Sequence, residues 1–179
     1  MLTSAFSHFH TFGFSGSRHL PASSSALSSA ALAVPIGAQV FVGCARGVDE
    51  FFRSQFPGAR VFSVASGQFG LGRAAFARRS VAFVLALLAA DGVLVSFPSS
   101  PCPAGLVPSS SSSRCFAGFG SGSWSTLAFC VGLGLPCFVF LGSLPCPVGW
   151  GLVSLSGAPG WFQFSPALVA PAPVQLSLF

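Results

Sequence analysis

Six of the eight arginines in this chain of 179 residues, Arg18, Arg46, Arg73, Arg78, Arg79 and Arg114, stand in or beside turns rich in glycine and serine. Only three acids accompany them, Asp49, Glu50 and Asp91. Such a set is suited to anions, because a guanidinium offers a planar fork that holds phosphate through two hydrogen bonds. The turns themselves add a second means. In Val40-Phe41-Val42-Gly43-Cys44-Ala45-Arg46-Gly47-Val48-Asp49 an apolar run ends at a glycine, and a small-residue turn leads into a helical pattern. Strand, glycine turn and helix start in that order form a phosphate-binding corner, since the first-turn amides of a helix lack intrahelical partners. Phe14-Ser15-Gly16-Ser17-Arg18 and Gly120-Ser121-Gly122-Ser123-Trp124-Ser125-Thr126 repeat the arrangement. Gly16, Ser17, Arg18, Gly43, Arg46, Gly47, Gly120, Ser121, Gly122 and Ser123 are therefore expected around a phosphate, with Arg78 close by.

Other chemistry finds less material. Asp49 follows Gly47 near a helix start, where it either caps the helix or pairs with Arg46, or else accepts a hydrogen bond from a ribose or base. Both readings stay open at this point. No pair of carboxylates is available for acid–base work. Cys44, Cys102, Cys115, Cys130, Cys137 and Cys146 include no C-x-x-C pair, and His8, His10 and His19 lie far from most of them, so neither a metal nor a cofactor is implied.

The elements that must carry these turns follow from hydrophobic patterning. Phe12–Ser15, Gln39–Val42, Arg60–Ala65, Val93–Phe97 and Cys137–Leu141 are short apolar runs bounded by glycine or proline and read as buried strands. Helical stretches at Ser23–Ala33, Val48–Gln55, Arg73–Ala90 and Trp124–Gly132 alternate with them, and Pro21 fits a helix first turn. In the long helix, the apolar positions Phe76, Val81, Val84, Leu85 and Leu88 keep near-helical spacing. Strands alternating with helices indicate an α/β domain whose parallel sheet is covered on both faces. Ligands then bind beyond the carboxyl ends of the strands, where all three glycine turns fall. Residues 1–11 read as a loose leader, and Pro98 to Arg114, with five consecutive serines, reads as a mobile loop. From residue 143 the texture turns to Pro, Gly, Trp and Phe, and Val148–Phe164 suits a hairpin packing Trp150 and Trp161 on the domain; the last fifteen residues read as tail.

Composition sets the outer limits. Hydrophobic residues make up 52% and charged residues 6%, against about 25% charged in an ordinary domain, so a large core and surplus apolar surface are expected. That surplus points to a homo-oligomer. Lys, Tyr and Asn are absent, a bias that A-rich codons share and that tempers any functional reading of arginine over lysine. The two most apolar runs, Val81–Val95 and Leu127–Leu141, fall short of the roughly 20 residues a membrane-spanning helix needs. Stable membrane insertion is not expected. Met1–Thr11 lacks Lys and Arg and does not read as a signal peptide, so a cytoplasmic location with reduced cysteines is expected. The net charge of +5 favours an anionic partner.

The three turns together resemble the SLOG superfamily of Rossmann-like nucleotide-binding proteins, and within it the DNA-processing protein A (DprA) branch. Gly16-Ser17-Arg18 matches that branch's Gly-Ser-Arg after the first strand. Gly43-Cys44-Ala45-Arg46-Gly47-Val48-Asp49 matches its Gly-x-Ala-Arg-Gly-(Ile/Val)-Asp after the second. Arg78-Arg79-Ser80 is similar to its Arg-Asn-Arg element, and Ser121-Gly122-Ser123-Trp124-Ser125-Thr126 to its Ser-Gly-Ser-x-x-Thr turn. The resemblance covers residues 12–142. It implies a Rossmann-like three-layer sandwich with a mainly parallel five-stranded sheet and a short C-terminal appendage at 143–179. It also implies a nucleotide or single-stranded DNA as ligand, and adds Asp49, Arg78 and Thr126 to the ligand-binding set. In the related Lonely Guy phosphoribohydrolases the catalytic glutamate falls on the position of Thr126, which favours binding over a nucleotide- or nucleoside-processing activity.

Overall fold

The computed structural model describes residues 2–19 and 24–166. Five short apolar runs form parallel strands: β1 (Thr11–Gly16), β2 (Gln39–Gly43), β3 (Arg60–Phe62), β4 (Val93–Phe97) and β5 (Cys137–Phe140). Their lateral order is β3-β2-β1-β4-β5, with Phe14 in register with Val42 on one side and Val95 on the other. The chain thus starts mid-sheet, builds outward to β3, and crosses back to the other side of β1. Strand order reverses between β1 and β4, the switch at whose carboxyl ends ligands bind in open α/β sheets.

The sheet has seven strands rather than five. Beyond β5, β6 (Val153–Ser154) and β7 (Trp161–Phe164) form the expected hairpin, but β7 pairs antiparallel with β5, so this segment continues the sheet instead of sitting on it as an appendage. Trp161 packs its ring 5.4 Å from both Phe97 and Phe140, which secures the added strand. The residues beyond 166, which hold most of the expected tail, lie outside the described residues, as does Pro21.

Successive strand residues face opposite sides, so each strand feeds two cores. Phe12, Phe14, Val42 and Val95 meet Phe52 and Leu27 from α3 (Val48–Gln55) and α2 (Ser24–Ala33). On the other face Phe41 and Leu94 meet Phe83, Leu87 and Leu127 from α4 (Arg73–Ala89) and α6 (Gly122–Gly132). Residues 2–11 are not a loose leader. Leu2–Phe6 forms α1, which buries Phe6 against Phe12 and Phe138 at ring separations of 5.2 and 5.0 Å. Phe9 adds a second aromatic contact, its ring 6.3 Å from Phe12 and 6.0 Å from Phe138.

The long helix turns only part of its apolar row inward. Ala75, Ser80, Phe83, Val84 and Leu87 face inward, while Phe76, Leu85 and Leu88 lie outside. Apolar residues surround α4, so periodicity does not select a face; Gly13 does. A Cβ there would stand 2.6 Å from Leu87 Cδ2 and 2.8 Å from Phe83 Cζ, so only glycine lets those side chains seat on β1. The serine-rich stretch between β4 and α6 is also docked rather than loose. It includes the short α5 (Ser112–Cys115), buries Leu106, and sends the Ser109 amide to Ala128 O at 3.3 Å. Cys115, Cys130 and Cys137 are buried and Cys44, Cys102 and Cys146 partly so, all six as free thiols. Burial pushes the Cys130 thiol well up, with its neighbour Cys137 adding to the shift. Among the described residues no helix is long and apolar enough to cross a membrane.

Candidate functional site

The first turn sits at the carboxyl end of β1, beside the switch in strand order. Gly16 closes β1, and a Cβ there would meet Val48 Cγ2 at 2.6 Å and Phe97 O at 2.8 Å. Its absence lets the start of α3 and the end of β4 approach. The Ser17 amide donates to Phe97 O (3.0 Å), the Val48 amide donates to Ser17 O (3.1 Å), and Ser99 Oγ donates to Ser17 Oγ (2.6 Å). Gly47, at φ +73°, passes so close to the Ser17 and Arg18 carbonyls that a side chain would overlap them. The first and second turns are therefore one packed unit.

The second turn is gripped from α3. Asp49, only 4% exposed, accepts from the Ala45 amide at 3.2 Å. Arg53, one helical turn further on, donates from Nη1 to Gly43 O (2.7 Å) and Ala45 O (3.0 Å). Arg79 reaches across from α4 and pairs with Asp49 Oδ2 at 3.4 Å. The two helix layers thus join over the end of β2, where Gly43 has no side chain to obstruct them. Of the two readings of Asp49, the carboxylate's observed partners are internal: it holds the turn and Arg79, not Arg46.

Burial raises the Asp49 carboxyl above its usual range, with Arg79, the Ala45 amide and Arg53 opposing the shift. A raised native value means that the folded state holds the proton more tightly than the unfolded chain. Asp49's contribution to stability is then full below the unfolded value and declines as pH rises to the native one. Urea titrations across acidic pH are expected to show the stability of the natural protein falling relative to Asp49→Asn through that window. A relative gain with rising pH would contradict the assignment.

The third turn precedes α6. Ser121 caps the helix, its Oγ accepting from the Trp124 amide at 3.5 Å, and Ser123 Oγ lies 3.3 Å from it. Gly120 holds φ +79°, and a Cβ on Gly120 or Gly122 would meet nothing within 4 Å. Buried Trp124 donates from Nε1 to Ser100 O at 2.8 Å, which fastens the third turn to the segment leaving β4. Thr126 is buried and donates to Gly122 O within its own helix (2.8 Å).

The arginines divide. Arg46 is exposed with no hydrogen-bond, ionic or ring partner among the described residues, and Arg18 is exposed with its guanidinium 5.3 Å from the Phe76 ring. Arg78 does not join the turns. It donates from Nε to Phe69 O (2.8 Å) and lines a groove between α4 and α5. Its neighbour Arg79 stands at Gly43 instead. Arg53, Ser99 and Ser100 are structural members of the site that pattern alone did not single out. The spacing of Asp49 and Arg53, one helical turn apart, was the available signal for the first.

No family model matches the chain, and no curated protein and no solved structure matches it.

Proposed function

We propose that this protein binds a nucleotide or single-stranded nucleic acid, holding phosphate between the glycine turns with Arg18 and Arg46 at the carboxyl edge of the sheet. One observation carries the reading. A continuous run of hydrogen bonds links the second turn to the first through Val48 and Ser17, the first to β4 through Ser17 and Phe97, and the β4 exit to the third turn through Ser100 and Trp124. Three sequence-distant glycine turns are thereby gathered at the switch in strand order, the usual ligand position in open α/β sheets. The start of α6 is the kind of helix N-terminus whose amides bind an anion. Arg79 Nε and Ser96 Oγ, buried at the same end of the sheet, have no hydrogen-bond partner among the described residues. The resemblance to the Rossmann-like SLOG superfamily and its DprA branch agrees with this ligand class. Binding is favoured over nucleotide hydrolysis because Asp49, the carboxylate nearest the turns, is buried in internal hydrogen bonds.

The test is equilibrium binding of labelled oligo-dT and of a nucleotide panel across a salt series. Arg46→Ala is expected to weaken binding about tenfold, the value of one charge-assisted contact. For single-stranded DNA it should also lower the salt slope by about 0.7, the share of one phosphate. A mononucleotide ligand would show saturable binding with a shallow slope. Unchanged affinity in Arg46→Ala would remove the second turn from the site.

A further inference from the structure

The sheet has an opening at the end opposite the glycine turns. β2 begins at Gln39, but β3 joins it only where Arg60 stands opposite Phe41, so Gln39 and Val40 have no strand beside them on that side. Pro57 and Gly58, in the turn between α3 and β3, line the gap without filling it, and a Cβ on Gly58 would meet nothing within 4 Å. The result is a cavity of about 670 Å³, an ordinary volume for a small-molecule site. Val40, Phe41 and Phe56 supply its apolar lining, and Gln39, Gln55 and Arg60 its polar one. Gln39 and Gly43 are the two ends of β2, about 13 Å apart at 3.3 Å per residue, so this cavity is separate from the turns.

Arg60 decides what fits. Its guanidinium carbon lies 5.4 Å from the centre of the Phe41 ring and 4.9 Å from that of Phe62, and the group has no hydrogen-bond or ionic partner among the described residues. The two rings attract the cation and fix its position, while its N–H donors stay free. Such a fork takes a carboxylate through two parallel hydrogen bonds. The chain's own acids do not supply one. Asp49 and Glu50 stand in the first turn of α3 whereas Gln55 ends that helix, and Asp91 precedes β4, two strands away from β2. The Gln39 and Gln55 amides are neutral, so Arg60 is the one charged group lining the cavity.

We propose that this cavity binds an aromatic carboxylate, a planar monoanion on an apolar ring system, with Arg60 holding the carboxylate and Val40, Phe41 and Phe56 covering the rings. One cation matches one negative charge. A phosphate monoester carries about 1.5 to 2 negative charges at neutral pH and would leave part of that charge uncompensated against apolar walls. A ring is favoured over an alkyl chain because two of the three apolar lining residues are aromatic, and ring pairs gain more than their buried area alone provides. This site does not depend on phosphate binding at the glycine turns, and its occupation leaves them free.

The test is isothermal titration calorimetry of the full chain with naphthalene-2-carboxylate, its neutral carboxamide and naphthyl phosphate. The carboxylate is expected to saturate a single site and to bind about tenfold more tightly than the carboxamide, the value of one charge-assisted contact. Arg60→Gln should remove that preference with an unchanged circular dichroism spectrum, since Arg60 is exposed at the sheet edge. Arg46→Ala should leave the carboxylate affinity unchanged, which separates this site from the glycine turns. In the natural protein the carboxylate should also shift the side-chain amide resonances of Gln39 and Gln55, a readout that needs no variant. Absence of saturable binding, equal affinity for carboxylate and carboxamide, full affinity in Arg60→Gln, loss of affinity in Arg46→Ala alone, unmoved Gln39 and Gln55 resonances, or an Arg60-dependent preference for naphthyl phosphate would each overturn the proposal.

Discussion

Replacing Gly43 with alanine is expected to destabilise the protein by about 3–5 kcal/mol, the range for disrupting a buried ion pair with some overpacking added. The cost is one of space rather than backbone conformation, because Gly43 is not among the glycines of positive φ. A Cβ at that position would overlap both the Arg79 guanidinium and the Asp49 carboxylate, whose side chains are 13% and 5% exposed. One of the two has to leave, and neither has water within easy reach. The bridge from α3 to α4 would open, and the turn that Asp49 and Arg53 hold would loosen. Gly122→Ala provides the contrast. Its new methyl group meets nothing, and the first turn of α6 gains helix propensity, so stability should stay within about 1 kcal/mol of the natural protein. Urea denaturation of the two variants side by side checks the account. Equal losses would mean that the bridge over β2 is not what requires Gly43.

Trp124→Ala should cost about 4 kcal/mol, typical of emptying a fully buried indole site. Part of the loss is volume. The indole is fully buried and meets Trp150 edge to face at 5.5 Å, so its removal opens a cavity between α6 and the segment after β5. The rest is the hydrogen bond to Ser100 O. Trp124→Phe separates the two. It keeps a ring but deletes the donor, leaving the carbonyl unmatched at about 1–2 kcal/mol. In that variant hydrogen exchange at Gly122 and Ser123 should accelerate more than exchange at β1, because the third turn loses its tie to the β4 exit. Uniform acceleration across both regions would make Trp124 a core residue without a positioning role.

Much of the scaffold was legible because its signals are local. Val48–Gln55 and Val93–Phe97 carry their own boundaries, a glycine before the helix and Asp91-Gly92 before the strand, and both were read with their observed limits. The parallel core also followed from the alternation of elements. What escaped depended on residues far apart in the chain. Gly43 reads as a glycine awaiting a ligand, yet the group it makes room for is Arg79, which no spacing rule connects to it. Asp49 offered two readings because its burial depends on α4, not on its own helix. Which face of α4 turns inward is not legible, since its apolar residues lie on several sides and the deciding contact is Gly13 on β1. β7 joined the sheet because β5 needed a neighbour, a demand visible only once the strand order is known. At the site, the three turns were identifiable as glycine-rich corners, while Arg53, Ser99 and Ser100 act through backbone groups of other segments and leave no motif.

The antiparallel cover of β5 also orders events during synthesis. Cys137-Phe138-Val139-Phe140 is apolar along its length, and its outer edge stays unpaired until Trp161–Phe164 has been made. At ordinary elongation rates the intervening residues take on the order of 1–5 s. Throughout that interval a growing chain exposes an apolar strand edge to other growing chains. Ribosomes closely spaced on one message would bring such edges together, so crowded translation should reduce the yield of folded protein before any weakness of the finished fold does.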